Sequence, residues 1–65
     1  MIKWRRFDRG RYFGGAWWDI VQVGSSWELC TIGYNSYEEI GSLPTLVAAK
    51  QLAELLVENN PQAWQ

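Results

Sequence analysis

The chain has no histidine, one cysteine and two prolines in 65 residues. Each shortage removes a class of behaviour. Without imidazole, catalytic dyads and triads built on histidine are excluded. Cys30 alone cannot close an internal disulfide, and one thiol without histidine cannot supply an ordinary four-ligand zinc site. No catalytic residue, metal site or cofactor is therefore expected. Long apolar runs are also missing. The longest, Leu43 to Ala49, contains Pro44 and Thr45 and is far too short to cross a bilayer.

The segment Met1-Ile2-Lys3-Trp4-Arg5-Arg6 is basic, but no apolar h-region follows it, so it does not read as a signal peptide. A lone cysteine without an export signal fits a reducing cytoplasm. Cys30 reads as a small buried hydrophobe in a strand, because nothing near it in sequence would lower its pKa. Ser25, Ser26, Ser36 and Ser42 stand at turn and cap positions, where serine makes local hydrogen bonds. Glu38 and Glu39 are adjacent, so in extended chain they point to opposite faces and cannot share a proton. Gly10, Gly14 and Gly15 lie outside any strand–loop–helix order and make no phosphate loop. Neither enzyme activity nor a small-molecule substrate is expected.

What the chain has in surplus is aromatic surface. It carries five Trp, three Tyr and two Phe, and nine of these ten fall between Trp4 and Tyr37. A chain of this length makes one small domain, burying only about 60% of the surface its unfolded form exposes. Such domains usually need disulfides, a metal or a partner subunit. Here aromatic packing and self-association remain. Charge is lopsided as well. Net charge is −1, yet Lys3, Arg5, Arg6, Arg9 and Arg11 supply five of the six positive charges. Beyond Tyr12, Lys50 stands against Asp19, Glu28, Glu38, Glu39, Glu54 and Glu58. Such a split fits nucleic-acid contact, and it equally fits a self-complementary homodimer.

The pattern predicts a first strand over about 2–13, with a turn or bulge at Asp8-Arg9-Gly10, and turns at Gly14-Gly15 and Gly24-Ser25-Ser26. Strands over about 17–23 and 27–34 follow, rich in aromatic and β-branched residues. Asn35 to Gly41 reads as a polar connection with at most a short extended piece at Glu39-Ile40. Thr45 (with Ser42 as rival) is the expected N-cap of a helix over 46–59, closed by Asn59-Asn60-Pro61, with a tail over 60–65. The expected fold is therefore α+β: a three-stranded antiparallel β-meander followed by one C-terminal helix packed on the sheet, in one domain spanning 1–65.

Two excesses point to function. At 100° per residue the apolar helix residues Leu46, Ala48, Ala49, Leu52, Ala53, Leu55, Leu56 and Val57 span roughly 200°, wider than the stripe of about 100° that a surface helix needs. Trp17, Val21 and Val23 alternate with Trp18 and Ile20, so both faces of the middle strand are apolar while one helix covers only one. A sticky surface is expected to remain. Protein-interaction candidates are Trp17, Trp18, Leu52, Leu55 and Trp64, with one of the paired tryptophans inside and the other outside. The nucleic-acid candidates are Lys3, Trp4, Arg5, Arg6, Arg9, Arg11 and Tyr12, since arginine binds phosphate and aromatics stack on bases. The plainer reading of the same run is an edge strand kept soluble by its arginines.

Gly41-Ser42-Leu43-Pro44-Thr45-Leu46-Val47-Ala48-Ala49-Lys50, preceded by Trp17-Trp18 and Trp27 in strands, resembles two groups of β-β-β-α proteins. One comprises short accessory proteins of bacteriophages and mobile elements. The other comprises the three-stranded DNA-binding domains of ethylene-response factors and the arm-binding domains of tyrosine recombinases. The first resemblance implies a bacterial host and a small protein that binds and blocks another protein. The second implies DNA binding through arginines on the exposed sheet face. Here the middle and third strands offer Asp19, Gln22, Glu28 and Thr31 instead, and only the first strand is basic.

Overall fold

The computed structural model describes residues 2–33 and 36–59. The tail over 60–65, with Trp64, and the end of the third expected strand at Tyr34 lie outside the described residues. The elements run β1 (Trp4–Asp8), β2 (Arg11–Gly14), β3 (Trp18–Val23), β4 (Ser26–Ile32), β5 (Tyr37–Leu43) and α1 (Leu46–Asn59). The strands form one antiparallel meander in sequence order. The sheet thus has five strands, which overturns the three-stranded expectation.

Both extra strands have local causes. The expected first strand folds back on itself at Asp8-Arg9-Gly10. Asp8 Oδ1 accepts the Arg9 N–H at 2.7 Å, and Gly10 takes a φ of 71°, a left-handed conformation that glycine adopts without steric cost. Gln22 N–H then donates to Gly10 C=O at 2.7 Å, tying the turn to β3. The second extra strand is β5, which occupies the stretch expected as a polar connection. Its register shifts between Leu29 and Cys30, where Gly41 faces Leu29 but Glu39 faces Cys30. Ile40 is the extra residue of a β-bulge, and it packs against the core. A bulge breaks the period-2 alternation by which strands are read.

α1 starts on its cap: the Ala48 N–H donates to Thr45 Oγ1 at 3.0 Å. Along the face that meets β3, β4 and β5 it presents Ala49 and Ala53, both fully buried. Two alanines let the helix axis come close to the sheet, and Gly41 lies beneath Leu52 without a side chain between them. The core is Trp18, Ile20, Leu29, Ala49 and Ala53, ringed by Ile2, Trp4, Tyr12, Trp27, Ile40, Leu43, Leu46, Leu52, Leu56 and Val57. It lies wholly on the helix side. No helix among the described residues is long and apolar enough to cross a membrane.

Candidate functional site on the open sheet face

Cross-strand register assigns the paired strand residues to the two faces of the sheet, leaving out Phe7 and Ile40, the extra residues at the two register shifts. One row runs Arg6–Tyr12–Ile20–Leu29–Gly41 and lies under α1. The adjacent row, Arg5–Phe13–Asp19–Cys30–Glu39, lies on the opposite face. A third, Asp8–Arg11–Val21–Glu28–Ser42, lies beside it on that same face. None of the described elements covers this second face.

Its centre is Asp19, which is fully buried although no helix lies over it. Neighbouring side chains bury it. Arg11 donates from Nε to Oδ1 at 3.3 Å and from Nη2 to Oδ2 at 3.0 Å. Tyr37 donates its hydroxyl to Oδ2 at 2.7 Å. A carboxylate held in an apolar strand is costly unless paired and hydrogen-bonded, and these three bonds meet that need. Hydrogen bonding to Asp19 and the charge of that carboxylate hold the Arg11 guanidinium above its ordinary pKa. Burial pushes the Tyr37 hydroxyl up, and its hydrogen bonds to Asp19 and Cys30 add to the shift. Burial likewise pushes the Cys30 thiol up, with the Tyr37 contact opposing it. A raised thiol pKa means less thiolate, so Cys30 is a poor nucleophile.

Aromatics extend from this centre. The Arg11 guanidinium lies 5.2 Å from the Phe13 ring centroid, and Phe13 meets Phe7 edge-on at 5.1 Å. Phe7 is 67% exposed, Tyr37 55% and Trp17 38%. Trp17 continues the alternation of β3, and its C=O accepts the Ile32 N–H at 2.7 Å, which places it in register on this face. Arg5, Arg6, Phe7 and Phe13 line a shallow depression at the β1 end.

The expected binding residues are dispersed. Of the tryptophan pair, Trp18 is 3% exposed in the core and Trp17 faces out. Leu52 packs against the core, whereas Leu55 and Val47 stay exposed on the helix flank. Among the nucleic-acid candidates, Lys3, Arg5, Arg6 and Arg9 are exposed, but Arg5 and Arg6 point to opposite faces. Trp4 lies against Gly14, where an added Cβ would come within 2.5 Å of its ring. Its buried indole N–H has no partner among the described residues. Tyr12 is under the helix side, with Lys50 Nζ 5.0 Å from its ring centroid. Arg11 is committed to Asp19.

Asp19, Tyr37 and Phe7 were missed as site residues. Asp19 carried a signal: a carboxylate between Trp18 and Ile20-Val21 must find a donor. The β5 bulge hid Tyr37. Among the described residues, no group of three or more possible metal ligands gathers. No protein-family model matches the chain, and no match to it was found among curated proteins or solved structures.

Proposed function

We propose that the chain is a non-enzymatic binding module that engages a protein through the open face of its sheet. The observation that carries this reading is the set of exposed aromatics, Phe7, Trp17 and Tyr37, on a face left uncovered by the described elements. Aromatic side chains are enriched at binding hot spots, and exposed apolar surface on one uncovered face favours docking of a partner. Mixed charge supports a protein partner over a polyanion, since Asp8, Glu28 and Glu39 share the face with Arg5 and Arg11.

The test compares two surfaces of one molecule. The pair Phe7→Ser and Trp17→Ser should abolish capture of binding proteins, while Val47→Ser and Leu55→Ser on the helix flank should leave it intact. Circular dichroism checks that both variants keep the fold. Loss only with the helix-flank variant would move the working surface to α1.

A second reading is favoured by one observation: Phe7 stands exposed beside Arg5 and Arg6, with Phe13 behind it. An aromatic among arginines suits a single-stranded nucleic acid, the base stacking on the ring and phosphates meeting the guanidinium groups. Titration with single- and double-stranded DNA, followed by tryptophan fluorescence at about 50 and then about 200 mM salt, tests it. Saturable binding that collapses at the higher salt, and is lost with Arg5→Gln and Arg6→Gln, would favour this reading over the first.

A further inference from the structure

We propose that β1 is a docking edge for an extended acidic peptide, which adds to the sheet as a further strand. The proposal rests on the reading of the chain as a protein-binding module, and it names the chemistry of the partner and the mode of contact. β1 is an edge strand, with β2 on one side and no described element on the other. α1 packs on β3, β4 and β5 and leaves this edge clear. The Lys3 C=O accepts the Gly15 N–H at 3.2 Å, and Arg5 pairs with Phe13. Backbone groups of an antiparallel strand alternate in direction, so those of Lys3 and Arg5 point to β2. Those of Trp4 and Arg6 point away from the sheet, where an added strand can bond to them.

Charge selects the occupant. Lys3, Arg5, Arg6 and Arg9 are all exposed, and none forms an ion pair among the described residues. Arg11 is left out of this set, because Asp19 already holds it. Asp8 opposes the four cations, but it lies beyond the bulge, where its Oδ1 accepts the Arg9 N–H. The stretch from Lys3 to Arg6 therefore carries three free cations and no carboxylate. β5, the opposite edge, carries Glu38 and Glu39 and no cation, so it repels the same peptide. Cations on an edge keep neutral or basic strands from pairing there. An acidic strand is the kind they admit.

The shape of the edge agrees. Two surface depressions border β1, one lined by Lys3, Trp4, Arg5 and Gly15, the other by Arg5, Arg6, Phe7 and Phe13. The first spans Lys3 to Arg5 and the second Arg5 to Phe7, an offset of two residues or about 7 Å. Side chains on one face of an added strand repeat at that same interval. Alternate acidic residues each meet a cation-lined depression, while the main chain bonds to Trp4 and Arg6. Peptides held in this way take affinity from main-chain bonds and specificity from pockets for alternate side chains.

NMR titration of the isotope-labelled chain tests the proposal, with a capped peptide of about seven residues that alternates glutamate and valine, up to about 1 mM. The amide protons of Trp4 and Arg6 should shift and exchange more slowly, while that of Arg5, which faces β2, changes little. Arg5→Glu should weaken binding about tenfold or more. Of two peptides N-methylated on alternate residues, at the valines or at the glutamates, one should lose binding about tenfold or more and the other keep it, because only one set of amides faces β1. If the two behave alike, strand addition is overturned. No binding by the wild type at about 1 mM overturns the acidic peptide and leaves the open face to another protein, which the capture comparison of Phe7 and Trp17 reads separately. Shifts centred on β5, or an affinity unchanged by Arg5→Glu, overturn the assignment to β1. A thymidine oligonucleotide that displaces the peptide and binds more tightly gives the edge to nucleic acid and overturns the proposal too. Circular dichroism separates loss of binding from loss of fold.

Discussion

Ile20 and Asp19 are neighbours in β3, both fully buried, on opposite faces of the same sheet. Ile20 is covered by another element: α1 brings Ala49 and Ala53 down onto it. Asp19 is covered by its own sheet, through the side chains of Arg11 and Tyr37. The first kind of burial removes apolar area from water and requires only shape. The second removes a charge from water and requires donors in fixed places. One sheet therefore has a face closed by packing and a face whose centre is closed while its surroundings stay open.

The sharpest way to break this comparison is to damage each centre in turn. Leu29, fully buried beside Ile20, should be the most costly. Leu29→Ala should destabilise by about 2–5 kcal/mol through lost transfer energy and the cavity left behind. In a domain of this size that amounts to most of the stability expected of a single small core. Urea denaturation reads it directly. A loss below about 1 kcal/mol would mean that the helix settles into the gap and that its seat on the sheet is loose.

The open face should respond asymmetrically, because its two charged partners differ in exposure. The Arg11 side chain is 41% exposed and that of Asp19 is not exposed at all. Arg11→Met leaves a buried carboxylate with Tyr37 as its remaining donor, at a cost of about 2–3 kcal/mol, less than for a fully enclosed pair. Asp19→Asn leaves a guanidinium that water can reach, and should cost about half as much. The double variant should be more stable than Arg11→Met alone. If Asp19→Asn proved the more damaging, the carboxylate would be anchoring the β2–β5 span of the sheet rather than merely being tolerated within it.

The two faces also differ in how far they were legible. The helix was readable because its signals are local: Thr45 as cap, then an unbroken run of good helix formers from Leu46. The alternation of Trp18 and Ile20 with Trp17 and Val21 separated inward from outward residues on β3. The strand count failed where local signals conflict with alternation. Asp8-Arg9-Gly10 reads as a turn or bulge, but because β1 and β2 are short the whole stretch also reads as one interrupted strand. In β5 the bulge at Ile40 puts Glu38-Glu39 and Gly41-Ser42 out of phase, which reads as loop. The site failed for a different reason. Arg11, Asp19 and Tyr37 meet only because β2 to β5 lie side by side and Tyr37 reaches across β4 to Asp19, and an assignment that omits β5 cannot place the Tyr37 hydroxyl on Asp19.

A further variant bears on the closed face from the side of the helix. Thr45→Ala removes the acceptor of the Ala48 N–H and should cost about 1 kcal/mol. Gly at the same position should cost only a few tenths, because it tolerates the cap conformation and lets water reach the amide. Thermal denaturation of the two variants separates the lost hydrogen bond from any change in packing. Equal losses would show that Thr45 matters through its methyl contacts, and the cap would then add nothing to the seating of α1.

The smallest effect belongs to the open face and is a dependence on pH. Burial, then the hydrogen bonds to Asp19 and Cys30, raise Tyr37 above its ordinary value of 10.0. The folded state thus holds the phenolic proton more tightly than the unfolded chain does. Its contribution is complete below the unfolded value and is lost as pH rises from there toward the folded value. Cys30, raised by burial from 9.0, adds a loss of the same sign that begins earlier. Because over half of Tyr37 is exposed, solvent screens the effect and the loss is modest. Melting temperatures compared between about pH 8 and pH 11 should fall more steeply for the wild type than for Tyr37→Phe, which has no phenolic proton to lose. Parallel curves would mean that the Tyr37 hydroxyl exchanges Asp19 for water at little cost. The centre of the open face would then be held by Arg11 alone.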